Sequence, residues 1–257
     1  MSDTILQLKG VIKEFRKFRA VGGAEGLTFD VRRGGFLGLI GPNGAGKSTT
    51  FNLISGVLEP TMGTVTFDGT DLSSLSIAEI ASLGLGRTFQ TPRAFDSLSV
   101  LDNVMVGLAH DEEGPLAALL GRWKGTERAL TGKAEAALER VGLIARRHDS
   151  VSNLSGGELR MLEVARQLVR EPRILLLDEP TAGVDPTLQG KLSQILSDLH
   201  AQGTTLIVVE HNLGFLMSLA DSVVVLQNGG LLAQGAPDDI RRDPAVIAAY
   251  LGADHEA

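Results

Sequence analysis

The segment "FLGLIGPNGAGKSTTFNLISG", Phe36 to Gly56, constrains the fold of this chain more than any other. Phe36 to Ile40 form a continuous apolar run, as expected of a strand buried on both faces. Directly after it, "GPNGAGKST" (Gly41 to Thr49) has the spacing G-x-x-x-x-G-K-[ST], and a helical pattern continues through "TTFNLISG". Gly41, Gly44 and Gly46 let the backbone curl until its N–H groups point inward. With Pro42, Asn43 and Ala45 they make a loop whose bare amides, backed by a helix N-terminus, suit phosphate oxygens. Lys47 adds a point charge for β- and γ-phosphates. Ser48, followed by Thr49, offers a hydroxyl to Mg²⁺.

A loop of this kind needs a parallel sheet behind it. Further buried strands are expected at "ILLL" (Ile174 to Leu177) and "TLIVV" (Thr205 to Val209), with helical patterns between them. "TVTFDG" near Thr64 and "SVVVLQNGGLLAQG" from Ser222 have another character. The second carries Asn228-Gly229-Gly230 between two runs, a hairpin signal. The expectation is an α/β fold with a mostly parallel core sheet and a flanking antiparallel β part. No strand is expected from about Ser99 to Asn153, which reads as helices inserted into that core.

The polar residues at the strand ends follow a pattern. "RILLLDEP" puts Asp178 and Glu179 just past a buried strand, where open α/β sheets bind their ligands. Asp178 is suited to hold Mg²⁺ through water, and Glu179 to orient and deprotonate an attacking water. His211 ends "TTLIVVEH" and Gln90 ends "GLGRTFQ". Parallel strands bring such ends to one edge, so Lys47, Gln90, Glu179 and His211 are expected to converge. A histidine there can hydrogen-bond a γ-phosphate or the attacking water.

"LSGGELRMLEVARQL" places Gly156 and Gly157 at the start of a helix, although glycine costs about 1 kcal/mol against alanine in a helix interior. Ser155 and Glu158 make the S-x-x-E pattern of a capping box. The glycines beside it leave a bare backbone, a second place where an anion could bind. The formal net charge of −7 over 257 residues argues against nucleic acid as a partner. The absence of cysteine excludes disulfides and thiolate metal sites and agrees with a reducing compartment. The first twenty residues lack the apolar core of a signal peptide, and no apolar run approaches the roughly 18 residues of a membrane span.

These motifs, in this order, resemble the nucleotide-binding subunit of ABC transporters along nearly the whole chain. Gly41 to Thr49 match its Walker A motif, Gln90 its Q-loop, Leu154 to Glu158 its signature motif, and Ile174 to Glu179 its Walker B strand with the catalytic glutamate. "AGVD", ending at Asp185, is similar to the D-loop, and His211 to the switch histidine. Phe15 lies where the family stacks an aromatic on adenine, with Phe18 as a substitute. The resemblance implies a P-loop NTPase with a RecA-like core, ATP and Mg²⁺ as cofactors, and Ser48, Gln90 and Asp178 around the metal. It also implies that Ser155, Gly156 and Gly157 meet the γ-phosphate held by a second ATPase subunit, identical or related. One ABC ATPase domain over 1–257 is implied, with 1–91 and 156–257 as core and 92–155 as helical subdomain. "GRTFQTPRAFDSLSVLDNV", the long helical insertion and the ending "DPAVIAAYLG" are similar to subunits that energise branched-chain amino-acid importers. The expected partners are then transmembrane permease subunits and an extracytoplasmic solute-binding protein, with this chain on the cytoplasmic face of the inner membrane. ATPases of other permeases, for urea or amide uptake or lipopolysaccharide export, are the alternative, with non-transport ABC ATPases behind them. Gly34-Gly35 departs from the acid usual before the first core strand, which edits a turn only.

Overall fold

The computed structural model describes residues 3–16, 18–88, 93–108 and 123–253. The strands are β1 (Thr4–Phe15), β2 (Phe18–Val21), β3 (Leu27–Arg32), β4 (Phe36–Ile40), β5 (Met62–Phe67), β6 (Thr70–Asp71), β7 (Leu85–Arg87), β8 (Ile174–Asp178), β9 (Thr205–Val209), β10 (Ser222–Gln227) and β11 (Gly230–Gly235). The helices are α1 (Lys47–Ile54), α2 (Ile77–Ser82), α3 (Val100–Met105), α4 (Trp123–Arg140), α5 (Gly156–Leu168), α6 (Pro186–Ala201), α7 (Leu213–Met217), α8 (Pro237–Arg242) and α9 (Pro244–Ala253). The chain divides into two compact units. One comprises Met1–Arg87, Arg173–Thr181 and Leu196–Ala257, the other Thr88–Pro172 and Ala182–Ile195.

The first unit contains both sheets. Its larger sheet runs β11-β10-β4-β9-β8-β7, and every pair from β10 to β7 is parallel. β4, β8 and β9 are buried along their whole length, which is why they read as unbroken apolar runs. The second sheet runs β2-β1-β5-β6, with β3 also on β1, all antiparallel. Leu6, Leu8 and Phe29 from that sheet join Leu37, Phe51 and Val224 in one buried core. The hairpin from Ser222 corrects the reading above. Asn228-Gly229 does turn the chain, but β10 lies parallel against β4, so this pair extends the core sheet and only β11 runs antiparallel there. Four consecutive buried residues in β10, Val223 to Leu226, are what a two-sided position demands.

The second unit is helical. α3, α4 and α5 pack on one another. Val104, Leu138 and Met161, one from each, are buried. The unit therefore reaches beyond the stretch 92–155, because α5 buries the apolar face of "LRMLEVARQL" there. Among the described residues no helix is long and apolar enough to cross a membrane.

Candidate nucleotide site

The loop after β4 has the backbone its glycines permit. At Gly41, φ is +150°, and a Cβ there would lie 2.2 Å from the Leu226 carbonyl oxygen. Gly46, at φ +96°, stands at the N-cap of α1, which has no side-chain cap. The first amides of α1 are thus left to a ligand or to water. Ser48 is exposed in that first turn. Lys47 is 7% exposed, and its Nζ donates to the carbonyl oxygens of Gly41 at 2.6 Å and Pro42 at 3.0 Å. Burial pushes its ammonium below the ordinary lysine range, and the Glu179 and Asp178 carboxylates oppose that shift. The lysine is therefore held at the loop, facing two acids.

Those acids end β8. Asp178 is 6% exposed. Glu179 follows with φ +47°, a left-handed backbone unusual for a side-chain-bearing residue, and its N–H donates to the Val209 carbonyl at 2.9 Å. His211, after β9, places Nε2 3.0 Å from Glu179 Oε1. Lys47, Asp178, Glu179 and His211 thus meet at the carboxyl edge of one sheet, as the strand-end pattern implies. Gln90, with Phe89 and Pro92, lies outside the described residues.

Two residues here escape a reading of the sequence. Glu210 is 3% exposed. Its carboxylate accepts from the backbone N–H groups of Thr181 at 2.7 Å, His211 at 3.0 Å and Asn212 at 3.2 Å. It ties the turn after Glu179 to the loop carrying His211. Arg87 ends β7, 3.9 Å from Asp178, with its guanidinium 5.0 Å from the Phe51 ring centroid. Burial lowers its pKa, and Asp178 opposes this. A Glu after an apolar strand was the visible signal for Glu210, overshadowed by the histidine beside it.

Phe15 and Phe18 face each other across the β1–β2 hairpin. Phe15 is 44% exposed with Lys13 Nζ 5.4 Å from its ring centroid, and Phe18 is 68% exposed. β2 continues to Ala20, whose carbonyl oxygen would sit 2.8 Å from a Cβ at Gly46. Phe18 therefore stands on a strand that abuts the phosphate loop, with Phe15 paired to it from β1.

In the helical unit, Ser155 caps α5 with a complete capping box. Its Oγ accepts from the Glu158 N–H, and the Glu158 side chain accepts from the Ser155 N–H at 2.8 Å. The two glycines have different reasons. A Cβ at Gly156 would meet nothing within 4 Å, whereas one at Gly157 would meet Leu188 Cδ1 at 2.3 Å. Gly156 keeps the helix end open. Gly157 is buried, contrary to a bare backbone at both, and lets α6 approach closely. Asp185 accepts from Thr187 N–H at 2.9 Å and Leu188 N–H at 3.2 Å, starting α6. Phe95 is 47% exposed under the Arg166 guanidinium, 5.3 Å from its centroid, and both its backbone groups bond the buried Asn103 side chain.

A phosphate loop after a central strand of a parallel sheet, facing two carboxylates at the end of β8 on the far side of β9, defines a P-loop nucleoside triphosphatase. Similarity to known proteins narrows this further. Residues 24–182 match the model of the ABC transporter family, and residues 231–256 match that of the branched-chain amino acid ATP-binding cassette transporter. The chain belongs to the ABC transporter ATP-binding family and hydrolyses ATP. It is 36% identical to the high-affinity branched-chain amino acid transport ATP-binding protein LivG of Salmonella typhimurium, over 98% of this chain and 99% of that one. A probable LivG of Archaeoglobus fulgidus is 34% identical over 97% and 96%. The ADP conformation of an ATP-binding cassette of an ABC transporter superposes with a TM-score of 0.84 at 33% identity, covering 98% of this chain and 100% of that one.

Proposed function

We propose that this chain binds Mg-ATP, hydrolyses it, and so energises a membrane importer for branched-chain amino acids. The observation that carries the reading is the Lys47–Asp178–Glu179–His211 cluster in a chain similar along its whole length to LivG proteins. The loop Gly41–Thr49 holds the phosphates, with Lys47 on the β- and γ-oxygens. Ser48 and Asp178 are hard oxygen donors that fit Mg²⁺, which would neutralise charge on the transferred phosphoryl group. Gln90 completes that set. Glu179 Oε1 takes the proton of the attacking water, and His211, already in contact with Glu179, orients the same water or the γ-phosphate. Phe15 stacks on adenine. Ser155 and Gly156, with Asp185, serve the ATP of a second subunit, identical or related, in a closed dimer, and the buried Gly157 lets Leu188 support that helix end from within.

The permease meets the helical unit around Phe95. In the assembled system the chain works on the cytoplasmic face of the inner membrane, and a solute-binding protein delivers the amino acid from outside. Affinity purification in mild detergent tests the reading. The expected co-purifying proteins are two membrane-spanning permease subunits. Recovery of a soluble complex with no membrane protein overturns it.

A further inference from the structure

Arg146 lies eight residues before the signature stretch, in a segment no motif covers. Each of its three guanidinium nitrogens donates a hydrogen bond. Nη1 donates to Glu158 Oε1 at 2.7 Å, Nε to Asp149 Oδ2 at 2.9 Å, and Nη2 to the Asn153 carbonyl at 3.0 Å. The other Glu158 oxygen, Oε2, accepts from the Ser155 N–H at 2.8 Å and the Ser155 hydroxyl at 2.9 Å. One chain of contacts thus runs Arg146–Glu158–Ser155. The Glu158 side chain is 24% exposed and the Arg146 side chain 31%, so water screens the pair only in part. Glu158 is held below the usual carboxylate range by the Ser155 backbone N–H first and by Arg146 after it, so it is ionised at neutral pH.

An ionised acid here poses a problem. Glu158 suits the helix dipole and completes the capping box. Yet it touches the hydroxyl that, on the reading above, meets a γ-phosphate. A carboxylate one hydrogen bond from a phosphate site repels the phosphate. We propose that Arg146 is a positioning residue for ATP-driven dimer closure: it neutralises Glu158, so that this acid can hold Ser155 without repelling the incoming γ-phosphate. The inference rests on the reading of Ser155 and Gly156 as a γ-phosphate contact in trans.

The test uses the full chain carrying Glu179→Gln to slow hydrolysis. The chain is assayed alone, or, where the parent forms no dimer with itself, with a related ATPase subunit as its partner. ATP-driven dimerisation is followed by light scattering, and thermal unfolding is measured in parallel. Arg146→Met should raise the ATP concentration for half-maximal dimerisation by about tenfold. Adding Glu158→Gln to that variant should restore dimerisation to within about threefold. Glutamine keeps the capping contact and removes the charge. Asp149→Asn in the same background, which removes the other carboxylate left without its arginine and does not touch Ser155, should not. Normal dimerisation by Arg146→Met overturns the proposal. So does a double variant no better than Arg146→Met, or an equal rescue by Asp149→Asn. If Arg146→Met folds poorly, Glu158→Gln alone decides. It must dimerise at no higher ATP than the parent, and a rise overturns the proposal. Ser155→Arg separates the two levels. If it dimerises normally the trans reading fails. If it blocks dimerisation while Arg146→Met does not, only the role of Arg146 fails.

Discussion

Glu210 is the most informative residue to change, because one buried carboxylate anchors both sides of the hydrolytic cluster. Oε1 takes the Thr181 N–H, and Oε2 takes those of His211 and Asn212. In Glu210→Gln the single amide oxygen can serve one side only. Keeping it on His211 and Asn212 turns the amide NH₂ against the Thr181 N–H, donor to donor. A hydrogen bond to a charged acceptor is worth about 1.5–3 kcal/mol, and a buried unpaired donor costs about 1–3 kcal/mol. The expected loss of stability is about 2–3 kcal/mol. Glu210→Ala leaves all three N–H donors without their acceptor and should lose about 4 kcal/mol, less than a simple sum because the contacts share one loop. Urea unfolding reads this as a lower midpoint at unchanged slope. The same slack loosens the 3.0 Å contact between His211 and Glu179. A displacement of about 1 Å at a reacting group can cost about 10²-fold, so kcat should fall about 10- to 100-fold while ATP affinity stays within about threefold. A glutamine variant with the parent's stability and turnover would refute the anchoring argument.

Glu179→Gln should lower the hydrolysis rate by about 10²–10⁴-fold with ATP binding retained, and His211→Ala should impair turnover while sparing binding; steady-state phosphate release with calorimetry separates the two effects. Phe95→Asp should change unfolding stability by no more than about 1 kcal/mol, since the exposed ring forfeits little beyond its contact with Arg166, yet abolish co-purification with the permease; a variant that unfolds instead would make Phe95 core. Glu158 has a depressed folded-state pKa, so its stabilisation is complete above the ordinary glutamate range and lost as pH falls through the lower folded value. Comparing parent and Glu158→Gln by urea unfolding at pH 7 and near pH 3 should show a flatter acid dependence in the variant, and parallel curves would count against the cap.

The parts of this site that are legible in sequence are those whose constraint is local. The phosphate loop must be glycine-rich and must precede a helix, so Gly41 to Thr49 announce themselves. The capping box of α5 spans four residues and needs only its own backbone. Glu210 and the Gly157–Leu188 contact join segments distant in the chain, and Arg146 reaches Glu158 across irregular turns, so no periodicity encodes which acid each donor will find. β1 hides for another reason. Its pairing with β3 and β5 shifts register around Gly10, so its buried side chains never keep a clean period of two. The direction in which β10 pairs is likewise absent from hydropathy, because a strand covered on both faces looks the same beside a parallel or an antiparallel neighbour.

On this mechanism, ATP hydrolysis at Lys47, Asp178, Glu179 and His211 moves a branched-chain amino acid across a membrane. This coupling is tested most directly by reconstituting the chain with its co-purifying permease in liposomes, on the outer face of which the solute-binding protein supplies radiolabelled leucine. With ATP enclosed, leucine should accumulate inside. Enclosed ADP, or Glu179→Gln in the cassette, should abolish accumulation. A complex that hydrolyses ATP at full rate and accumulates no leucine, isoleucine or valine would contradict the account.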